Sequence, residues 1–282
     1  MNKILVITVT YNGMKWMERC ICSVSMSRVP ADMMVIDNCS SDGTPEYIEE
    51  EFPWVHLVRN TSNSGFGQAN NIGLRYALEN GYDYVYLLNQ DAWIEPETLG
   101  RLASSFKSGE HFGILSPMQK SGDVSGRLDA KFLKWYRISK PITESGIKEM
   151  EFVMAAHWMI CRECLEEVGG FSPVFTQYGE DDNYIDRAHY FGWKAGAVTE
   201  AFAVHDRPQK GLSKEKRMKH KCLSLLVLAS NPGSRRAILL RSIGMSIKNL
   251  SLEPLKYLSV LYRRRKEIIS RRRESMHKGA FL

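Results

Sequence analysis

Four clusters of side chains in this sequence could hold a phosphorylated ligand around a cation: Thr10-Tyr11-Asn12, Asp37, Asn89-Gln90-Asp91 and Glu180-Asp181. Hard Mg²⁺ and Mn²⁺ ions take a carboxylate or two and complete their shell with phosphate oxygens. Acids this far apart in sequence repel one another if the fold gathers them, unless a cation or a base lies between. A shared site is the economical reason to gather them.

The order of elements does the gathering. Residues 83–93, DYVYLLNQDAW, run apolar side chains into a polar tip, the pattern of a buried strand that delivers a carboxylate to its C-terminal end. Residues 4–10 (ILVITVT) read as a central parallel strand closed by Tyr11, Asn12 and Gly13, residues 33–37 as a second strand ending in Asp37, and residues 54–59 as a third. Helices are expected over about 14–27, from Thr44-Pro45-Glu46 with Thr44 as N-cap, and after Glu95-Pro96-Glu97. Another follows NTSNSGFG, where Ala69, Ile72, Gly73, Tyr76 and Ala77 recur at helical spacing. Such alternation gives right-handed βαβ units and a parallel sheet, whose ligands sit beyond the carboxyl ends of the strands.

Further along, residues 112–116 and 152–160 read as strands and 162–168 as a short helix. Residues 120–150 lack clear periodicity and read as a variable excursion suited to a flap. The acidic knot Glu180-Asp181-Asp182 precedes a helix, in which Arg187 either pairs with the acids or a diphosphate or is solvated. Residues 195–204 give short strands ending in His205-Asp206.

No GxGxxG follows the first strand and no GxxxxGK[ST] occurs, which argues against a dinucleotide fold of the common kind and against a P-loop ATPase. The six cysteines are scattered, with no secretory apolar region, as expected of reduced thiols in the cytoplasm. The single CxxC, Cys161 to Cys164, lacks a second ligand pair and reads as structural. No apolar run approaches the ~20 residues that cross a bilayer. Charge is divided unevenly: from Gly211 onward 18 Lys and Arg face 4 Asp and Glu, whereas the first 210 residues hold 20 basic and 28 acidic side chains.

The blocks TVTYNG, VIDNCSSDGT, NSGFGQANNIGL, YLLNQDAWIEP, VGGFSPVFTQYGEDDNYIDR and VHDRPQKGLS, in this order over residues 3–213, resemble the inverting glycosyltransferases of family 2 and, within them, the bacterial rhamnosyltransferase-like group. The resemblance implies an α/β GT-A fold, a mostly parallel sheet flanked by helices, as a catalytic domain over residues 1–210, with 211–282 a basic helical extension. It implies transfer of a sugar from a nucleotide diphosphate sugar, dTDP-rhamnose first and UDP-sugars next, to a hydroxyl of a cell-surface glycan or its polyprenyl-linked precursor. The expected place is the cytoplasm, at the inner face of the plasma membrane.

Position by position, Thr10, Tyr11 and Asn12 match the loop against the nucleotide, and Asp37 the acid that accepts hydrogen bonds from a base or ribose. Gly65, Gln68 and Asn71 match the block beside the diphosphate, and Asn89 and Gln90 border it. Asp91 matches the metal-binding Asp of the family's DxD. Asn89 stands where the first Asp would be, which shifts weight onto His205 as second ligand of an Mn²⁺ or Mg²⁺ ion; the alternative for His205 is a surface histidine. Asp181 matches the catalytic base, with Glu180 orienting the acceptor or its loop. His157 and Trp158 fall on the strand bordering the acceptor in relatives, although Trp158 equally suits a core.

For the tail, RRRKEIISRRR preceded by YLSVLY suits a helix lying on an anionic membrane surface, or a solvated basic end. Nucleic acid is disfavoured because no reading module accompanies the charge. A catalytically inactive, peripheral membrane module of the same fold is the competing function, against which the intact Asp37, Asp91, Asp181 and His205 speak. The oligomeric state is not legible.

Overall fold

The structure, a computed structural model, describes residues 2–123, 125–207, 213–232 and 237–282. The chain runs β1 (Ile4–Thr10), α1 (Met14–Ser25), β2 (Asp32–Asp37), α2 (Thr44–Glu51), β3 (His56–Arg59), α3 (Gly65–Glu79), β4 (Tyr84–Leu88), β5 (Ala92–Ile94), α4 (Thr98–Ser105) and β6 (Phe112–Ser121). It continues with α5 (Ala130–Arg137), β7 (Ile147–Glu149), β8 (His157–Cys161), α6 (Arg162–Val168), α7 (Glu180–Tyr190) and β9 (Lys194–His205). Four helices close it: α8 (Lys214–Ser230), α9 (Ala237–Asn249), α10 (Glu253–Arg263) and α11 (Arg265–Glu274). The end of the sixth sequence block, at 208–212, lies outside the described residues.

The strands form one sheet in the order β3-β2-β1-β4-β8-β6-β9-β5, with β7 beside β9. Its first half is parallel, as strand–helix alternation requires. Its second half is mixed: β8 runs antiparallel to β4 and β6, and β9 runs parallel to β6. β9 therefore points the same way as β4, and the tips of β1, β2, β4 and β9 share one rim. Alternation along β1 sends Leu5 and Ile7 to one face, against Leu74 of α3 and Tyr184 of α7, and Ile4 and Val6 to the other, against Met17 of α1 and Leu99 of α4.

The stretch expected to be a variable excursion is ordered. Asp129 caps α5, accepting from the Lys131 and Phe132 N–H groups, and buries Phe132, while β7 pairs with β9. Conversely, residues 152–156 do not join β8, which begins at His157. The basic tail stretch expected as one helix breaks at Arg264 into α10 and α11, and their apolar side faces inward: Leu261 and Ile268 pack with Val174, Phe175, Leu225 and Leu226.

The last residues return to the body. Gly170 N–H donates to Ala280 O at 2.8 Å, Gly279 N–H to Glu167 O at 3.1 Å, and Leu282 packs against the core. Gly169, at φ +78°, leaves no room for a Cβ against the Ala280 carbonyl, so glycine is required both for backbone conformation and for this approach. Beside this strap, Asn71 of α3 bonds both polar groups of the Phe171 backbone, accepting from N–H at 2.7 Å and donating to C=O at 2.9 Å, and also reaches Phe281 O.

Because Asn71 and Phe171 are buried, Asn71→Ala would leave the buried Phe171 N–H without its partner and its C=O with only the 3.2 Å bond from Gln68. We expect urea unfolding to show a loss on the order of 3 kcal/mol; a loss below about 0.5 kcal/mol, the range of ordinary surface substitutions, would show that the tie is dispensable.

Candidate active site

The rim loops are stitched together by side chains. Gln90 Oε1 accepts from Thr10 Oγ1 at 2.8 Å and from Tyr11 N–H at 2.9 Å, so Gln90 ties the β1 tip to the β4 tip. Asn12 holds a left-handed φ of 50° and accepts from Ser41 N–H at 2.9 Å, joining the same loop to the turn after β2. Asn38 Oδ1 accepts from Asn60 and Ser64, and its amide donates to Gly65 O. Asp37, buried at the β2 tip, accepts from Ser40 N–H through Oδ2; its other oxygen, Oδ1, has no protein partner. Gly65, at φ +80°, abuts the Thr176 carbonyl with no space for a side chain. Gln68 and Asn71 both spend their amides on Phe171 O, so the diphosphate-side positions expected for them are used to anchor α3.

Asp91 and His205, 114 positions apart, meet through strand register. β5 starts one residue after Asp91 and pairs Ala92 with His205, the last residue of β9, and Asp206 N–H donates to Asp91 O at 2.7 Å. His205 Nε2 then lies 3.3 Å from Asp91 Oδ1, with Nδ1 buried and unpartnered. Among the described residues no group of three or more His, Cys, Asp and Glu converges as a metal cage. One carboxylate and one imidazole form a donor set that suits Mn²⁺ if phosphate oxygens complete it, so the residues present fit a substrate-completed site rather than a closed one.

Next to this pair opens a cleft of about 660 Å³. Asn89, Ala155, Ala156, Glu180, Asp181 and His205 line it on the sheet side; α5 contributes Lys131 and Trp135, and α8 contributes His220 and Leu223. Arg207 fixes α5 to the end of β9 with a bidentate pair on Asp129, at 2.9 and 2.6 Å. These α5 and α8 walls were missed in the sequence. The Asp129 cap before AKFL was the signal for the first; nothing local marks the second.

Glu180, Asp181 and Asp182 are the first turn of α7 rather than a prelude to it. The helix N-terminus favours their negative charge, but burial opposes it. Glu180 is 8% exposed, its Oε2 has no partner, and burial together with Asp181 pushes its pKa up to about 7. Burial also raises Asp181, against the opposing pull of the Asp182 and Ala155 backbone N–H groups and of Lys131.

The two aromatic acceptor candidates belong elsewhere. His157 is fully buried with both nitrogens used: Nε2 donates to Val204 O at 3.1 Å, so Nδ1 accepts from Tyr86 OH at 2.9 Å. Burial, then His205, hold its pKa down to about 3, so it stays neutral. Trp158 is fully buried, donates to Val153 O and stacks on Phe171. Arg187 neither pairs with the acids nor faces solvent. It is buried, donating to Gly170 O and Val168 O beneath the Phe281 ring.

Residues 5–169 match the family Glycosyl transferase family 2. Among curated relatives, an N-acetylglucosaminyl-diphospho-decaprenol L-rhamnosyltransferase of Mycobacterium tuberculosis is 24% identical over 233 residues, 72% of this chain and 75% of that one. A dTDP-rhamnosyl transferase, RfbF, of Shigella flexneri is 28% identical over 164 residues, 54% of this chain and 52% of that one. Among solved structures, GalNAc-T7 with UDP, GalNAc and Mn²⁺ superposes at a TM-score of 0.66 with 17% identity, over 95% of this chain and 55% of that one, a likeness of fold.

The raised Glu180 pKa fixes a sign. Folding favours the protonated acid, so its contribution is fully present below the ordinary value of 4.5 and is lost as pH rises through about 7. The stability of Glu180→Gln relative to the native chain should therefore improve by on the order of 2–3 kcal/mol between pH 4 and pH 8, read by urea unfolding at both. A pH-independent difference would mean that Glu180 titrates normally.

Proposed function

The chain belongs to glycosyl transferase family 2, and from that premise we propose that it is a metal-dependent inverting transferase moving a sugar, rhamnose from dTDP-rhamnose, to a hydroxyl of a glycan or polyprenyl-linked acceptor. The observation that carries this reading is that His205, held against Asp91, and Asp181 line the same cleft. The names of the two curated relatives support the donor, and the mycobacterial one supports a lipid-linked acceptor.

In this reading the nucleotide lies along the stitched rim. Asp37 Oδ1, buried without a protein partner, accepts from a pyrimidine N–H or a ribose hydroxyl. The Thr10–Asn12 loop lies against the nucleotide, its shape held by Gln90 and Ser41. Gly65 lets backbone approach the diphosphate. Asp91 and His205 hold an Mn²⁺ or Mg²⁺ ion, which supplies positive charge for the departing diphosphate. Asp181 receives the acceptor hydroxyl proton as the new bond forms at the anomeric carbon and the bond to the diphosphate breaks. Glu180, neutral up to about pH 7, limits the repulsion beside it. The domain division near residue 210 and the inner face of the plasma membrane are parts of the same proposal; among the described residues no helix is long and apolar enough to cross a membrane.

A panel of nucleotide sugars, each with and without Mn²⁺, tests the reading by release of free nucleotide. Absence of metal-dependent turnover with every donor would end it. Asp181→Asn should keep donor affinity and lose about 10²–10⁴-fold in kcat; a fully active variant would remove Asp181 as the base. Because burial raises Asp181, transfer should fall on acidification at a pH above the ordinary Asp range.

A further inference from the structure

The helix α9 turns a second apolar side to solvent. At about 3.6 residues per turn, Leu239, Ile243, Ile247 and Leu250 stack along one side with Leu240 beside them, and this side faces solvent: Leu240 is 73%, Ile247 71% and Leu250 95% exposed. The side that faces α8 carries Ile238 and Met245, which pack on the core there, with Ser242 and Ser246 buried beside them. A helix folded for water alone puts its serines out and its leucines in. Leu252 extends the exposed stripe beyond the helix, and Tyr262 adds an exposed aromatic on α10.

Charge says what covers this face. Over residues 237–266 the sequence has Arg241, Lys248, Lys256, Arg263, Arg264, Arg265 and Lys266 against the single acid Glu253. Arg241 and Lys248 are exposed on the flank of the α9 stripe. A second copy meeting this face about a twofold axis would set these cations against their own images, whereas an anionic bilayer complements them.

We propose that α9, with Leu252 and the basic flank of α10, is the face by which the protein seats on an anionic membrane surface, Leu239, Leu240, Ile243, Ile247 and Leu250 entering the boundary between headgroups and acyl chains. The inference stands apart from the transfer chemistry. It also moves the membrane face from α10–α11, whose apolar side is spent on Val174 and Phe175, to α9. Its place beside the cleft follows from α8, which lines the cleft through Ser224 and contacts Met245 of α9 with the same side chain.

The test is sedimentation of the full chain with vesicles of phosphatidylcholine alone and of phosphatidylcholine with phosphatidylglycerol. The native protein should partition to the anionic vesicles. Leu240→Ser with Ile247→Ser should weaken this by about tenfold or more, and Arg241→Glu with Lys248→Glu should abolish the preference for anionic lipid. Donor binding, followed by nucleotide-sugar titration, should be the same in all variants, so failure here is distinguishable from failure of the proposed reaction. Native protein that ignores anionic vesicles, or variants that bind them equally well, would overturn the proposal. So would a dimer in analytical ultracentrifugation that the serine pair dissolves.

Discussion

The pairing of Ala92 with His205 is the constraint on which the site rests. The chain leaves β4 at the rim through Asn89–Asp91 and pairs β5 antiparallel to the end of β9, beginning its ladder one residue after Asp91. Side chains alternate along a strand, so a slip of one residue would turn His205 to the other face and dissolve the pair. The mixed second half of the sheet serves this meeting. β8, antiparallel to both neighbours, restores the direction of β6 and β9 to that of β4, and the β9 tip arrives where the β4 tip already is. Behind the pair, His157 is locked to Val204 O and Tyr86 OH and is neutral, so no positive charge is buried directly behind Asp91 and His205.

The α7 terminus shows the opposite economy. Three carboxylates in one helical turn exploit the exposed N–H groups there, yet the cleft walls from α5 and α8 remove much of the water that would solvate them. Both acids are pushed the same way: Glu180 keeps its proton to near neutrality, and burial raises Asp181 as well, against the opposing pull of backbone donors and Lys131.

Much of this was legible where the chemistry is local. The strands β1, β2 and β4 follow from apolar runs that end in polar tips, and the structure places Asp37 at the tip of β2 and Asp91 just beyond that of β4. The pairing of Asp91 with His205 was reached through the family resemblance, since no local pattern links positions so far apart. What escaped was tertiary. Gln68, Asn71 and Gln90 are amides of the kind that bind ligands, but Phe171 and the β1 loop use them first. His157 and Trp158 lie on a strand whose two faces are both covered, and a five-residue apolar strand does not reveal which side is open. The α5 segment hid because its eight residues span only about two helical turns of pattern, and only its Asp129 cap betrays it.

The strap formed by residues 279–282 bears on the order in which the molecule can be completed. Asn71, which fixes α3 to Phe171, also reaches a carbonyl 210 positions later, and Gly169 and Gly170 are shaped to receive the same segment. A loop of that length closes at an entropic cost that no local helix offsets. On the ribosome, the Rossmann-like first half can pair its parallel strands as it emerges, but the floor beneath Phe171 and Arg187 stays open until residues 279–282 have left the exit tunnel. Completion of the site's support thereby waits on residues 279–282, so a nascent chain with every proposed catalytic residue already made would still lack its finished floor.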